Sequence, residues 1–180
     1  MRLFFFPVSY ILLAITIIIS TTLQAGLGSI SGHVALGGEV VESACAISPE
    51  HLEQHIMLNN ISPDRLVRGD GGELHPFSID LINCNPQRQN PAHESWLGFQ
   101  ITFEGRADGN NFELQGESQG LALEIQDDRG FIARPGIAMP SHPVPVGERK
   151  LNYNLRLIGN QKLMKAGRHF AVLKYKLDYY

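Results

Sequence analysis

Gly116-Glu-Ser-Gln-Gly120 carries the G-x-S-x-G string of serine hydrolases. That chemistry needs the serine on a sharp turn between a strand and a following helix, with its oxygen standing clear beside a base. Here Leu121-Ala-Leu-Glu-Ile125 follows, an alternating run that reads as a strand, so Ser118 is read as part of a polar turn. His51 and His55 stand four apart with Glu53 between them. A zinc protease of that spacing needs its glutamate directly after the first histidine. Leu52 occupies that place, and no third ligand stands out among His33, His75, His93, His142 and His169. Arg68-Gly-Asp70 is of receptor-docking type, but Gly69-Asp70 equally suits a turn. Asp127 and Asp128 are adjacent carboxylates in another turn, with no pocket implied. No catalytic residue, metal site or cofactor is expected. The chain reads as a structural or binding protein, not an enzyme.

Two cysteines remain, Cys45 and Cys84, and the N-terminus decides their chemistry. Arg2, the apolar run Tyr10-Ile-Leu-Leu-Ala-Ile-Thr-Ile-Ile-Ile19 and the polar exit Ser20-Thr-Thr22 make a secretory leader over residues 1–25, cut after Ala25. A retained anchor is the competing reading; Pro7 and the small-residue exit favour cleavage. In an exported chain the cysteine pair is expected to be oxidised. Such a bridge stabilises by roughly 3–4 kcal/mol in the chain-entropy model. The 180 residues carry a net charge of −3 and no basic block, which argues against a nucleic-acid partner.

The elements that must position these residues are strands. Leu97, Phe99, Ile101 and Phe103 alternate with Gln100, Thr102 and Glu104, the pattern of a half-buried strand. Leu121, Leu123 and Ile125 alternate up to Asp127-Asp-Arg-Gly130, and Phe131-Ile-Ala133 reads as a short strand stopped by Pro135-Gly136. Three prolines make Met139–Val146 an edge or loop. Leu151, Tyr153, Leu155 and Leu157 alternate again. His169–Tyr180 reads as one last strand, with Ala171, Leu173, Tyr175, Leu177 and Tyr179 on a common face. Phe77, Ile79 and Leu81 alternate towards Cys84, which has the wrong parity, so a bulge or strand end is expected near Asn83. Residues 48–70 are least strand-like; His51–Met57 is read as a helical turn.

Short strands, turns between them and an early cysteine pair predict an all-β, immunoglobulin-like sandwich. The only Trp, Trp96, follows both cysteines, unlike antibody domains. The last strand runs to Tyr180, leaving nothing to pair beyond it, so an edge is expected to stay open to strand addition from another chain. At the other end Ile30, Gly32, Val34 and Leu36 share one parity, and Glu39–Cys45 reads as the chain's own first strand.

Gly32-His-Val-Ala-Leu-Gly-Gly-Glu-Val-Val-Glu-Ser-Ala-Cys-Ala-Ile47 resembles the start of chaperone–usher pilins. Pro76-Phe-Ser-Ile-Asp-Leu-Ile-Asn-Cys84 resembles their second-cysteine motif, and Ala166–Tyr179 their C-terminal strand with its penultimate tyrosine. Phe112–Met139 and Leu151-Asn-Tyr-Asn-Leu-Arg156 are most similar to the minor subunit that terminates and anchors P-type pili. The short run Gly26–Ser29 departs from that subunit, which has a longer stretch there.

The resemblance implies an incomplete immunoglobulin-like sandwich lacking its last strand, over residues 39–180, preceded by a donor-strand extension at 26–38. Ile30, Gly32, Val34 and Leu36 would be its donor positions. Leu173, Tyr175 and Leu177 would line part of the acceptor groove, within a chaperone-binding strand from Ala171 to Tyr179. The carboxylate of Tyr180 would anchor the chaperone. Implied partners are a periplasmic chaperone, an outer-membrane usher and neighbouring pilin subunits. The implied destination is the cell-surface fimbrium, reached through the periplasm. An ordinary shaft or adaptor pilin is the alternative. A receptor-binding tip adhesin is a weaker one, since the mature length suits one domain only.

Overall fold

The structure, a computed structural model, describes residues 42–69 and 71–180. The leader at 1–25, the proposed donor positions Ile30, Gly32, Val34 and Leu36, and Asp70 of the Arg-Gly-Asp string lie outside the described residues.

Eleven strands are described: β1 (Ala46–Ile47), β2 (His75–Cys84), β3 (Gly98–Glu104), β4 (Ala107–Asp108), β5 (Asn111–Glu113), β6 (Gln115–Gly116), β7 (Leu121–Asp127), β8 (His142–Pro143), β9 (Gly147–Gly159), β10 (His169–Phe170) and β11 (Lys174–Tyr179). One sheet has the order β1-β2-β9-β7-β5-β4, a second has β11-β3-β8, and β10 pairs with β6 alone. Every pairing is antiparallel.

The alternation in the sequence becomes the two inner faces. Ile79 and Leu81 of β2, Leu151, Tyr153, Leu155 and Leu157 of β9, and Leu121, Leu123 and Ile125 of β7 are buried from the large sheet. Phe99, Ile101 and Phe103 of β3 are buried from the small one. The layers meet ring against ring: Phe103 lies edge-on to Tyr153 at 5.1 Å and to Phe77 at 6.3 Å. Each such aromatic is worth roughly 1.5–3 kcal/mol of burial. Tyr153's phenol pKa is pushed up by this burial.

Several expectations change. Leu97 is exposed, because β3 begins at Gly98. Central β7 is buried on both faces; Ala122 and Glu124 are covered on the face away from Leu123, and Glu124 is neutralised by Arg156 at 2.7 Å. Phe131–Ala133 makes only a single bridge, Gln126 with Ile132. The segment His51–Met57 is not a helical turn; a 3-10 turn covers Pro49–His51 and irregular chain follows. The one described α-helix, α1 (Pro63–Val67), follows Ser62-Pro63-Asp64, a start signal with proline at the first helical position. Of the expected strand Glu39–Cys45, the described residues Glu42–Cys45 are not in a strand; pairing starts at Ala46.

Near Asn83 the expected irregularity is present. The β2–β9 register shifts between Leu81 and Cys84, and Asn83 has φ +53°. The shift turns Cys84 inward, where it forms the disulfide with Cys45. The final segment is two strands, not one. β10 pairs with β6, the chain leaves that ladder at Ala171–Leu173, and β11 pairs with β3.

Candidate binding groove

A groove of about 580 Å³ opens beside the point where the chain crosses from β10 to β11. One wall is the irregular segment Leu52–Leu58; the other runs from His169 to Leu173 and ends at Tyr175. Phe77, Phe103, Leu114, Leu123, Ile125 and Leu155 form its floor. It is a gap into the core between the layers. β11 is the edge strand of its sheet, paired to β3 on one side, and among the described residues no strand pairs with its other side.

The walls are held from behind. Gln54 donates through Nε2 to the carbonyl of Ser78 at 2.9 Å, and the main-chain N–H of Asp80 donates to His51 Nδ1 at 2.9 Å. Both tie the first wall to β2. Gly116 has φ +120° and lets the Arg168 carbonyl pass close against it, which seats β10 on β6. The hydroxyl of Tyr175 donates to the carbonyl of His51 and closes the groove at that end. Burial pushes the pKa of Tyr175 upward.

Exposed apolar side chains rim the opening: Leu52, Ile56, Met57, Phe170 and Val172. The cleft therefore offers a contiguous apolar floor, a rim that costs free energy to leave in water, and an unpaired backbone edge alongside. That combination suits an extended peptide that places alternate side chains inward and pairs its main chain with an edge.

Of the residues expected here, Ala171, Leu173 and Tyr175 line the groove. Leu177 and Tyr179 lie further along β11 and pack against the core. Tyr179 meets Phe99 at 5.8 Å and Trp96 at 5.9 Å. Tyr180 pairs by main chain with Gly98, and its carbonyl also accepts from the N–H of Leu97 at 2.8 Å. The first wall was not foreseen. Its signal was Ile56-Met-Leu58, three apolar residues in a stretch without strand or helix period.

The strings that suggested chemistry do not converge on one another. Ser118 precedes β7, a strand, and its hydroxyl is buried without a hydrogen-bond partner. His51 is half-buried on the Asp80 main chain, while His55 is exposed within 3.5 Å of Glu53. Among the described residues no three His, Cys, Asp or Glu side chains gather as a metal site, and no helix is long and apolar enough to cross a membrane.

No family model matches the chain. Individual proteins do. It is 37% identical over 150 residues to a PAP fimbrial minor pilin of Escherichia coli, covering 82% of this chain and 77% of that protein. A PRS fimbrial minor pilin of Escherichia coli matches to the same extent. Among solved structures, the crystal structure of the P pilus rod subunit PapA superposes with a TM-score of 0.67 at 20% identity, over 77% of this chain and all of that one. A chaperone–usher pilus rod gives a TM-score of 0.65 at 22% identity, over 84% and 97% of the two chains. The strand-built, pilin-like fold, the disulfide and this degree of identity agree: the chain belongs to the chaperone–usher fimbrial pilins, among the P-pilus-like minor subunits.

Proposed function

We propose that this minor pilin is assembled by donor-strand exchange and terminates or anchors its fimbria at the base. The groove carries the reading. It combines an apolar floor, a β11 edge that no strand pairs among the described residues, and a rim of exposed apolar side chains, features that suit strand addition. In this reading a periplasmic chaperone fills the groove first. Residues Ile30, Gly32, Val34 and Leu36 enter the groove of the preceding subunit, and the outer-membrane usher is where the exchange occurs. The chain travels through the periplasm to the cell surface. The likeness to minor pilins, and the Tyr175–His51 bond across one end of the groove, support a terminal position over a shaft position.

Deletion of residues 26–36 tests the donor role. Chaperone capture should survive, and attachment to the preceding subunit should be lost. A deletant that still joins the fimbria removes the proposal. Termination is tested separately by adding donor peptide from a shaft subunit to the purified chaperone complex. Slow or absent displacement of the chaperone is expected; rapid displacement assigns the chain to the shaft.

A further inference from the structure

Away from the groove, two guanidiniums press on one imidazole. Arg129, in the turn after β7, brings Nη2 to 3.2 Å from His142 Nε2. Arg149, at the start of β9, brings Nη2 to 3.4 Å from His142 Nδ1. A neutral imidazole offers one lone pair and one N–H. It can accept from one arginine only, and to the other it presents a hydrogen.

The nearby carboxylate does not resolve this. Asp127 is buried and its oxygens are occupied. Oδ1 accepts from the main-chain N–H groups of Arg129 at 3.0 Å and Phe131 at 2.8 Å. Oδ2 accepts from Arg129 Nε at 3.1 Å and lies 3.0 Å from its Nη2. Arg129 is thereby compensated. Arg149 is not: its Nε is buried with no acceptor, and among the described residues it makes no ion pair. A charged donor held without an acceptor is costly, and a planar guanidinium fork is shaped for two oxygens.

We propose that Arg149, with His142 and Arg129, forms a binding site for a single oxyanion, a carboxylate or a tetrahedral group of the sulfate or phosphate kind. His142 cannot swing aside to relieve the crowding. Its ring stacks on Phe99 at 5.4 Å, and its main chain pairs with that residue in the β3–β8 ladder. The side chain of Arg129 is 40% exposed, so the site has an entrance. None of these residues lines the groove.

The charges facing the ring are Asp127, Asp128 and Arg129 from the β7 turn and Arg149 from β9, while β3 contributes the uncharged Phe99. Burial first, then the two arginines, hold the His142 pKa below its ordinary value against the opposing pull of the two aspartates. An anion bound here raises that pKa. By reciprocity, protonation of His142 strengthens anion binding.

The test is a titration of the folded mature chain with acetate and with sulfate at constant ionic strength, following the His142 ring resonances by NMR. The expected result is a saturable shift with at least one probe, tighter at about pH 6 than at about pH 7.5. The two probes separate a carboxylate site from a tetrahedral one. Arg149→Ala should weaken binding by about tenfold or more, and Arg149→Lys should weaken it too, since an ammonium lacks the fork. Arg106→Ala, an exposed partner of Glu113, should bind like the parent. A non-saturating response to both anions overturns the proposal. So does an Arg149→Ala variant with intact near-UV dichroism and unchanged binding. If that variant does not fold, full affinity in Arg149→Lys overturns it instead.

Discussion

The phenol of Tyr175 donates to the main-chain carbonyl of His51, joining the C-terminal strand to the segment on the far side of the groove. His51 immediately precedes the first wall, Tyr175 ends the second, and the two lie 124 positions apart in the chain. Tyr175 also packs on Phe103 at 6.3 Å, so ring and hydroxyl have separable roles.

Tyr175→Phe keeps the ring and deletes the bond. It should cost about 1 kcal/mol of stability, the usual net value of one hydrogen bond. Amide exchange should speed up in residues 51–58 and stay as in the parent within β2 and β9. Unchanged protection in 51–58 means the bond does not fasten that segment to β11.

Gly116→Ala should be far more damaging than Gly109→Ala. Both glycines have positive φ, +120° and +64°, but a Cβ at Gly109 meets open space whereas one at Gly116 runs into the Arg168 carbonyl. Backbone strain alone predicts about 1 kcal/mol at Gly109. The added collision at Gly116 predicts more than about 2 kcal/mol and loss of the β6–β10 pairing. Equal urea midpoints for the two variants would remove the argument that φ +120° and the close Arg168 carbonyl make glycine more strictly required at 116 than at 109.

Arg156→Ala leaves the buried Glu124 without its 2.7 Å partner. A loss of about 3 kcal/mol is expected, because an uncompensated buried carboxylate stays behind. The double variant Arg156→Met/Glu124→Leu should recover most of it. Failure to recover would mean that Arg156 matters through its aliphatic packing.

Asp108 supplies an acid-dependent component of stability. The Lys162 ammonium, and then the Asn160 amide, hold its carboxyl below the ordinary value against the effect of burial. The folded state is therefore favoured by Asp108 at every pH above the unfolded value of about 3.9. That contribution fades as pH falls through the lowered folded value. Asp108→Asn should be less stable than the parent at about pH 5 and converge on it near about pH 2. A difference that persists at the acid end assigns the effect to packing.

The strands that make the sandwich were legible because burial on one face imposes a period of two. Phe99, Ile101 and Phe103, and Leu151 through Leu157, are recognisable from spacing alone. The wrong parity of Cys84 announced the register shift beside Asn83. Where both faces are covered, or neither, the period fails. Central β7 hides Glu124 behind Arg156, a pairing from another strand that no local pattern encodes. The irregular wall Leu52–Leu58 has no ladder of its own and so no strand period to read.

By itself the sequence determined the layer architecture, the cysteine pair and the inward face from Ala171 to Tyr179. Those follow from alternation and composition, which are local. Only the tertiary structure decided that the last twelve residues divide between two ladders, that a groove opens where they cross, and that Tyr175 reaches His51 over it. The reason is that β10 and β11 have the same side-chain parity, so the sequence cannot distinguish them. What separates them is the partner each one finds, Gly116 for one and Phe103 for the other, and partners are supplied only by the folded chain.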